Sequence, residues 1–447
     1  MAKDSGKIAI VGAGLTGLVA ARRLARKGYA VDVYEAAGEA GGLAAGFTLR
    51  NGTRLERAYH FVYPSDQHLI RLAEELDLRD ALKFHRSSIG AFYRGGLYPL
   101  LTATDLLRFP ALGWFSKVRT GLVALYLQRV RRWDKLTCVT AMEWLQRFNG
   151  RHAAAVLWQP LLRGKFDRHY DKITMAWLWG RIRQRQESRR TGARHELLGC
   201  FDGSFTRLIA ALESDLAALD ATMHWHTPVE RITRNADGGL SVTAGGGAAS
   251  FDAVLATVPS GVFAGQIEGN PSADEPYLAR LRSIEYLAAV LMVVVTPQEL
   301  SDYYWHQFHD GAAPFLVALR LTALTGDTRP FGGNHVYYIG DYVTAQDPLL
   351  HRSDDDIRAQ WMKDLAGLFP RFDPHQVCES HIFRFRYAQH VVDVGYETRK
   401  LVSLRTPVPG VYLANFSQIF PQDRGTNHAV RDGEDSAAAI DGDLRAR

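Results

Sequence analysis

Apolar and polar positions near the N-terminus follow two periods, one typical of strands and one typical of helices. Lys7 to Val11 is a short, mostly apolar run that predicts a buried parallel strand. A helical pattern follows and ends near Gly28, and a second apolar run, Ala30 to Tyr34, predicts another strand. This order of strand, helix and strand favours a parallel sheet with helices packed against it.

The rest of the chain predicts further elements, without an internal repeat or a long linker. A helix is expected to begin after Ser65 or Asp66 as its cap, and residues 97–146 show a helical pattern in which Leu, Phe and Trp alternate with Arg and Lys. A small antiparallel sheet is predicted from Thr222 to His226, Val229 to Arg234, Leu240 to Ala244 and Ser250 to Val258. Three more predicted elements are a long buried strand over Ile284 to Thr296, a last strand over Val411 to Ala414 and a final helix ending near Ile440.

A glycine-rich motif separates the first strand from the first helix and carries the clearest chemistry. Gly12 suits a tight turn, Gly14 lets a pyrophosphate approach the backbone, and Gly17 lets the helix pack closely on the strand. Glu35 ends the second strand at the spacing of ~20 residues at which an acid binds the ribose hydroxyls. The predicted dinucleotide-binding residues of this unit are Gly12, Gly14, Leu15, Thr16, Gly17, Glu35 and Ala36.

Composition describes a folded protein of two or three intertwined domains. The 447 residues are 47% hydrophobic and 23% charged, with a formal net charge of +5. The basic excess lies in the segments 119–135 and 181–194, which suit an anionic substrate, cofactor phosphates or an acidic membrane surface, or simply a solvated helix face. Nucleic acid is not an expected partner. We expect a small-molecule substrate, and the sequence leaves the oligomeric state open.

Cysteine usage and the N-terminus bear on location. Cys138, Cys200 and Cys378 are far apart and follow no zinc-binding or disulfide pattern, so no metal site is predicted. The first residues lead directly into the first strand, from which we expect no signal peptide and a cytoplasmic protein. The basic, amphipathic residues 97–146 leave peripheral membrane contact open, against the alternative that they form the core face of a helical lobe.

A second candidate site follows in a segment dense in tryptophan and arginine, Leu157 to Arg194. Its tryptophans, Trp158, Trp177 and Trp179, are candidates to line a cavity. Its cations are candidates to hold an anionic substrate: Arg163, Lys165, Arg168, Arg181 and Arg185. For any one of these residues the alternative is also open, in which the tryptophans lie in the core and the arginines face water.

Taken together, these motifs resemble the flavoprotein superfamily of amine oxidases, protoporphyrinogen oxidases and phytoene-type desaturases. The resemblance spans the chain, and its FAD-binding parts are the specific ones. It implies an α/β fold with a Rossmann-type (GR2-like) FAD-binding domain of residues 1–60, 199–273 and 389–447. It also implies an inserted substrate domain of mixed sheet and helices, residues 61–198 and 274–388.

The resemblance adds FAD-binding residues beyond the first motif. Gly41, Gly42 and Leu43 lie in a segment similar to the family's second glycine pair, which passes along the diphosphate and ribityl chain. Val229 lies in HTPVERI, similar to the segment whose valine backbone binds adenine. Asn415 stands where an acid of the family meets the pyrophosphate or ribityl end. The isoalloxazine candidates, from a segment similar to the family's last helix N-terminus, are Asn427, Ala429 and Val430.

Two departures from the amine oxidase pattern affect the expected function. The run from Ile284 has no lysine, whereas amine oxidases generally carry one near the flavin, so the sequence is closer to the protoporphyrinogen oxidases and desaturases. His60, in Tyr59-His60-Phe61, resembles a segment of UDP-galactopyranose mutases that keeps a histidine beside the flavin, and it is the catalytic candidate.

The sequence therefore predicts a redox flavoenzyme that passes a hydride from an anionic or amphipathic organic substrate to flavin N5. Two alternatives stay open. One is a mutase-like enzyme that acts on a nucleotide sugar without net oxidation. The other is a flavin-free module that binds prenylated proteins, as the similar Rab escort proteins do.

Overall fold

The computed structural model describes residues 6–190, 196–235, 238–309 and 315–446, with the side chains of 188–190 excepted. The end of the predicted basic segment, including Arg194, therefore lies outside the described residues. The described strands are β1 Lys7–Val11, β2 Ala30–Tyr34, β3 Gly46–Thr48, β4 Arg54–Glu56, β5 Leu82–Arg86, β6 Ile89–Tyr93, β7 Gly96–Pro99, β8 Leu197–Phe201, β9 Thr222–His224, β10 Val229–Arg234, β11 Leu240–Ala244, β12 Gly247–Phe251, β13 Ala253–Ala256, β14 Tyr286–Thr296, β15 Trp305–Phe308, β16 Val317–Arg320, β17 His335–Thr344, β18 Glu379–His390 and β19 Val411–Leu413.

The described α-helices are α1 Leu15–Ala25, α2 Gln67–Glu75, α3 Ala103–Arg108, α4 Trp114–Arg129, α5 Ala141–Phe148, α6 Arg151–Ala153, α7 Gln159–Phe166, α8 Met175–Arg190, α9 Thr206–Ala218, α10 Ser260–Ile267, α11 Glu275–Arg282, α12 Leu321–Thr325, α13 Asp354–Leu368, α14 Tyr396–Arg399 and α15 Thr426–Arg445. A π-helical stretch, Ala154–Trp158, joins α6 to α7. Within the described ranges, no helix has both the length and the apolar character needed to cross a membrane.

A parallel sheet carries the N-terminal motif. Its order in the described residues is β19, β13, β1, β2, β9, so β1 lies at the centre. Side chains of β1 alternate between two cores: Ile8 and Ile10 pack with α1, α9 and α15, whereas Ala9 and Val11 pack towards α10 on the other face. Both faces are covered, as expected for a parallel sheet, and the predicted bounds of β1 and β2 are confirmed.

A second large sheet is mixed. Its order over the described strands is β18, β14, β17, β16, β15, β6, β7, and β15 pairs with β6 in parallel while the other pairings are antiparallel. All eleven residues of β14 are buried, because β17 and β18 flank it on both edges and side chains cover both faces. The predicted fold class, a Rossmann-type unit with a mixed sheet and helices, is confirmed; the predicted domain bounds stay a prediction.

Three sequence predictions of elements are wrong. The segment from Thr222 belongs to the parallel sheet, because β9 pairs with β2 in parallel, and only β10, β11 and β12 form the small antiparallel sheet. The run 250–258 is split between β12 and β13, which lie in different sheets. The pattern over 97–146 begins with a strand, since β7 pairs with β6 before α3 and α4 follow.

Candidate functional site

The loop after β1 has the geometry of a phosphate-binding turn. Gly12 has φ +102°, a left-handed conformation that favours glycine. A Cβ added to Gly17 would lie 2.0 Å from the carbonyl oxygen of Gly12, so only glycine allows this close approach of α1. A Cβ added to Gly14 would meet no heavy atom of the described protein within 4 Å. Open space therefore lies beside the backbone at the start of α1, where a pyrophosphate fits.

The start of α1 offers unpaired donors to that space. Gly14 is the N-cap, no described side chain caps the helix, and its first turn holds no acid. The first N–H groups of α1 belong to Leu15, Thr16 and Gly17 and form the positive end of the helix dipole. They point toward any anion that binds there. These residues fit the diphosphate of a dinucleotide.

Glu35 follows the last residue of β2, and its side chain is held by hydrogen bonds that include one from the glycine turn after β1. Its Oε2 accepts a hydrogen bond from Ala13 N at 2.8 Å, and its Oε1 accepts one from Ala37 N at 2.8 Å. The carboxylate therefore holds the glycine turn in place and retains acceptor capacity for ribose hydroxyls. Ala36, between Glu35 and Ala37, is exposed.

The second glycine pair is brought onto the first. Gly41 N donates to Ala13 O at 2.9 Å, and Gly14 and Gly41 form an isolated parallel bridge. Gly41 has φ +114°, and a Cβ on Gly42 would lie 3.3 Å from the Gly14 Cα. Leu43 lines the cavity described next. The chain therefore runs from the glycine turn directly to the wall of a cavity.

The cavity has a volume of ≈ 360 Å³ and lies between the start of α15, the helices α7 and α8 and the mixed sheet. Its apolar wall includes Leu161, Ile182, Leu316, Val317 and Phe308. Its polar lining includes Tyr59, His60, Tyr63, Asp66, Lys165, Arg181, Arg185, Gln307, Asp341, Tyr342, Asp423, Arg424 and Asn427. An apolar body with a few convergent polar groups is typical of a small-molecule site.

Asp423 organises the cations of this cavity. Its Oδ2 lies 2.8 Å from Lys165 Nζ and 3.4 Å from Arg181 Nη1, and Trp177 Nε1 donates to its Oδ1 at 3.4 Å. Burial opposes ionisation, but the charges of Lys165 and Arg181 hold the pKa of Asp423 well below its usual range. Arg185 pairs with Glu196 at 3.7 Å.

The Arg424 side chain donates hydrogen bonds to an amide and to a phenol oxygen. Its Nε donates to Gln389 Oε1 at 3.0 Å and its Nη2 donates to the Tyr342 hydroxyl at 3.1 Å. Tyr342 is also hydrogen-bonded to Tyr59. Burial favours the neutral phenol, yet Arg424 and Lys165 outweigh it and lower the pKa of Tyr342 below its ordinary value. The lowered pKa of Tyr342 therefore favours a phenolate, the form of this side chain that can accept a proton.

His60 is a neutral imidazole with a defined tautomer. Its Nδ1 lies 2.7 Å from Ala58 O, a geometry that places the ring proton on Nδ1 and leaves Nε2 as an acceptor. Burial, with the charge of Arg424, lowers the pKa of His60 to about 4. His60 thus faces the cavity uncharged at neutral pH.

Two further carboxyls of the cavity are shifted in the opposite direction. Burial raises the pKa of Asp341 to about 8, and burial raises that of Asp66 to about 6. Asp341 is therefore protonated at neutral pH while Asp66 is mostly ionised. Asp66 also accepts from Tyr63 N at 2.8 Å, so its carboxylate belongs to the turn that precedes α2.

The three residues predicted to contact the isoalloxazine ring lie in different surroundings. Asp66 is the N-cap residue of α2, as predicted, but its side chain does not cap the helix. Asn427 lines the cavity, and its Oδ1 instead accepts from His68 N at 2.9 Å and Leu69 N at 3.1 Å. Val430 is fully buried in the core beside α1, and Ala429 N donates to Gly425 O at 3.1 Å. Contact of Asn427, Ala429 and Val430 with the isoalloxazine ring stays a prediction.

Asn415 and Val229 lie at strand ends of the nucleotide-binding unit. The amide of Asn415 donates to Val258 O at 2.8 Å, and its Oδ1 accepts from Ser417 N at 2.9 Å, so its side chain fixes the turn after β19. Val229 begins β10, is buried, and accepts from Gln266 Nε2 at 3.0 Å through its carbonyl. Their contacts with FAD stay predictions.

The tryptophan- and arginine-rich segment contributes only some of its members to the cavity. The cavity is lined by Trp158, Trp177, Lys165, Arg181 and Arg185. Trp179 instead donates to Val130 O at 3.2 Å in the helical core, and Arg163 stacks on Tyr170 at 4.6 Å. Arg168 is not among the residues that line the described cavity.

Sequence reasoning missed Asp423, Arg424, Asp341 and Tyr342. A usable signal existed for the first two, which lie between the last strand of the parallel sheet and the helix α15, where ligands of such sheets bind. Asp341 and Tyr342 carried no local signal, because β17 reads only as an alternating strand.

The chain belongs to the flavin-containing amine oxidoreductase family, whose model matches residues 15–441. The flavin in the description of this family agrees with the FAD cofactor that the sequence predicts, and the family's description as amine oxidoreductases agrees with the predicted redox enzyme. This membership argues against the flavin-free binding module.

Three individual proteins illustrate the similarity. A Mycobacterium tuberculosis protein named "Putative flavin-containing monoamine oxidase AofH" is 26% identical over 269 residues. The alignment covers 56% of this chain, and the chain spans only about half (56%) of the length of this relative. A "Putative protoporphyrinogen oxidase" from Exiguobacterium has a similar structure, with a TM-score of 0.79, 18% identity and coverage of 98% and 99% of the two chains. Reduced UDP-galactopyranose mutase matches with a TM-score of 0.74, 17% identity and coverage of 98% and 96%. At these identities the two structures show the fold alone.

Proposed function

We propose that this flavoenzyme oxidises a small organic molecule that carries an anionic group, and that the anionic group binds at Arg424. The observation that carries the proposal is the charge balance of the cavity. Four cations, Lys165, Arg181, Arg185 and Arg424, are set against Asp423, Asp66 and the more distant Glu196, while Asp341 is protonated at neutral pH. Among the described residues, Arg424 donates to Gln389 and Tyr342 and not to a carboxylate, so its guanidinium is the cation best placed to take the anionic group.

The chain's own residues would bind, orient and desolvate the substrate. Arg424 offers charge-assisted hydrogen bonds to a carboxylate or phosphate, and the apolar wall around Ile182 and the buried Val317 excludes water from the remainder. The phenolate of Tyr342, whose formation the lowered pKa favours, and the Nε2 of His60 are the groups that can accept a proton there. When bound, FAD supplies the acceptor for a hydride from a substrate C–H bond.

The proposed cofactor contacts follow from the fit described above. Gly12, Gly14 and Gly17 with the first N–H groups of α1 hold the diphosphate, Glu35 holds the ribose, and Gly41 and Gly42 line the path to Leu43. The predicted contacts of Val229, Asn415, Asn427, Ala429 and Val430 complete the proposal.

Binding of a charged probe and its neutral isostere tests the anionic preference. Benzoate and benzamide are titrated into the FAD-loaded protein while the visible flavin spectrum is followed. We expect benzoate to bind at least tenfold more tightly, and Arg424→Gln to remove that preference, since one charge-assisted hydrogen bond is worth roughly 1.5–3 kcal/mol. Arg163→Gln is the matched control, because Arg163 lies outside the cavity lining. Equal affinity of the wild type for both probes would contradict the proposal.

A mutase-like reaction on a nucleotide sugar is the second candidate. It is favoured by the neutral His60 in the cavity and by cations that would suit a diphosphate as well as a carboxylate. The absence of a lysine from the sequence of β14 fits either candidate. The two reactions differ in the redox state of the flavin in which the enzyme acts, and this difference makes them experimentally separable.

A further inference from the structure

The helix α4 is apolar on two opposite sides, and only one of them is covered. Thr120, Val123 and Leu127 are buried against the rest of the protein. Other large side chains of the same helix face solvent: Trp114 is 66% exposed, Phe115 89% and Leu122 62%. The exposed apolar residues of α3 and α4 are Leu107, Trp114, Phe115, Val118, Leu122, Leu125 and Tyr126, and we call them the α4 patch.

The spacing of the α4 patch shows that it is a continuous stripe. Phe115, Val118, Leu122 and Leu125 recur every three or four residues, which places them on one side of the helix. Single exposed apolar residues are normal, but a stripe of this kind on a water-facing helix marks an interaction surface.

The charge around the α4 patch is of one sign. Residues 103–135 carry seven basic side chains and two acidic ones, an excess of +5 that equals the net charge of the whole chain. The basic residues nearest the stripe are Arg108, Lys117, Arg119 and Arg129. Lys117 and Arg119 bend back to backbone carbonyls at the helix edge, with Lys117 Nζ at 2.8 Å from Leu107 O and Arg119 Nε at 2.7 Å from Phe148 O. Their charges therefore rim the apolar stripe.

We propose that the α4 patch docks on a lipid bilayer that contains anionic headgroups. Trp and Tyr beside aliphatic side chains suit the interfacial zone of a bilayer, and the basic rim suits its negative surface. A second copy of this chain is a poorer occupant, because a two-fold contact would bring the same +5 segment against itself. The patch also lies one helix away from the cavity, since α4 packs against α8, whose Leu178, Arg181 and Ile182 line it.

Vesicle binding by the FAD-loaded full chain tests the proposal. The protein is sedimented with vesicles of phosphatidylcholine alone and of phosphatidylcholine mixed with phosphatidylglycerol. We expect binding to the mixed vesicles, weakened at high salt, with a blue shift of tryptophan fluorescence. The double variant F115S/L122S should lower the partition coefficient at least about tenfold, because two large apolar side chains no longer insert.

The control is V262S, which removes an exposed apolar side chain (37% exposed) on α10. It should bind vesicles as the wild type does, and retention of the yellow flavin shows that each variant is folded. Equal binding of F115S/L122S and the wild type, or no preference for anionic vesicles, would overturn the proposal. So would a stable dimer in the absence of lipid that Leu122→Arg converts to a monomer, because the patch would then bind a second copy.

Discussion

At the scale of single residues, two carboxyls of one cavity are shifted in opposite directions. Asp423 is buried beside Lys165 and Arg181, and their charges keep it ionised. Asp341 lines the same cavity without such a cation, and burial, with the nearby Asp167, raises its pKa to about 8. The cavity therefore becomes more negative as pH rises through the range in which Asp341 titrates.

The first prediction follows from that titration. Below about pH 8 Asp341 is neutral, and above it the carboxylate adds a negative charge that opposes an anion at Arg424. The Kd for benzoate should therefore rise roughly three- to tenfold as pH increases through 8, a magnitude set by one charge at several ångströms. Flavin difference spectra at several pH values measure it. Asp341→Asn should flatten the rise; an Asn variant that keeps it would assign the titration to another group.

Glu35 gives the second prediction at this scale. Glu35→Ala removes the acceptor for Ala13 N and Ala37 N and the proposed ribose ligand. Each charge-assisted hydrogen bond is worth roughly 1.5–3 kcal/mol, so we expect FAD affinity to fall at least tenfold. Fluorescence titration of the apoprotein with FAD measures the change. Glu35→Gln keeps one acceptor oxygen and should be intermediate, whereas unchanged retention in Glu35→Ala would show that the ribose is held elsewhere.

At the scale of elements, α15 connects the two halves of the site. Its N-terminal residue Asn427 caps α2 and lines the cavity, and its middle packs on α1. That packing depends on Gly433, where an added Cβ would lie 2.7 Å from Thr16 O and 3.0 Å from the Val19 side chain. The close approach of these helices therefore fixes the glycine turn relative to the cavity.

Two glycines of α15 allow a matched comparison. Gly433→Ala should lower the free energy of unfolding by about 1–3 kcal/mol, since the Cβ meets backbone that cannot yield. Gly442→Ala, in the same helix with no described heavy atom within 4 Å of the added Cβ, should be neutral or raise it by up to about 1 kcal/mol. Thermal denaturation of the FAD-loaded proteins measures both. A Gly433→Ala melting temperature no lower than that of Gly442→Ala would contradict this account of the packing.

At the scale of the whole molecule, local patterns predicted the elements but not all of their partners. The bounds of β1 and β2 were predictable because each is a short apolar run, the first ended by the glycine turn and the second begun after the helix α1. The pairing of β9 with β2 joins Thr222 to Asp32, and residues so far apart leave no periodic signal in either segment. The arginine-rich segment could be identified in the sequence. Its charge balance could not be predicted, because its partners Asp423 and Glu196 come from other parts of the chain.

The last prediction separates the two candidate reactions of the whole enzyme. If the protein is a dehydrogenase of an anionic substrate, adding that substrate without oxygen must bleach the visible absorbance of FAD, because the hydride leaves the substrate for the cofactor. A mutase-like enzyme would be inactive as isolated in its oxidised state and active on a nucleotide sugar only after dithionite. The cations suit both reactions, but the lowered pKa of Tyr342 favours a phenolate that can accept a proton during oxidation, so we expect bleaching, and we expect Tyr342→Phe to slow it while FAD stays bound. A panel of anionic substrates and nucleotide sugars, followed anaerobically by absorbance and by product analysis with and without dithionite, measures both arms. Isomerisation of a nucleotide sugar only after reduction, with no compound bleaching the flavin, would replace the dehydrogenase by the mutase.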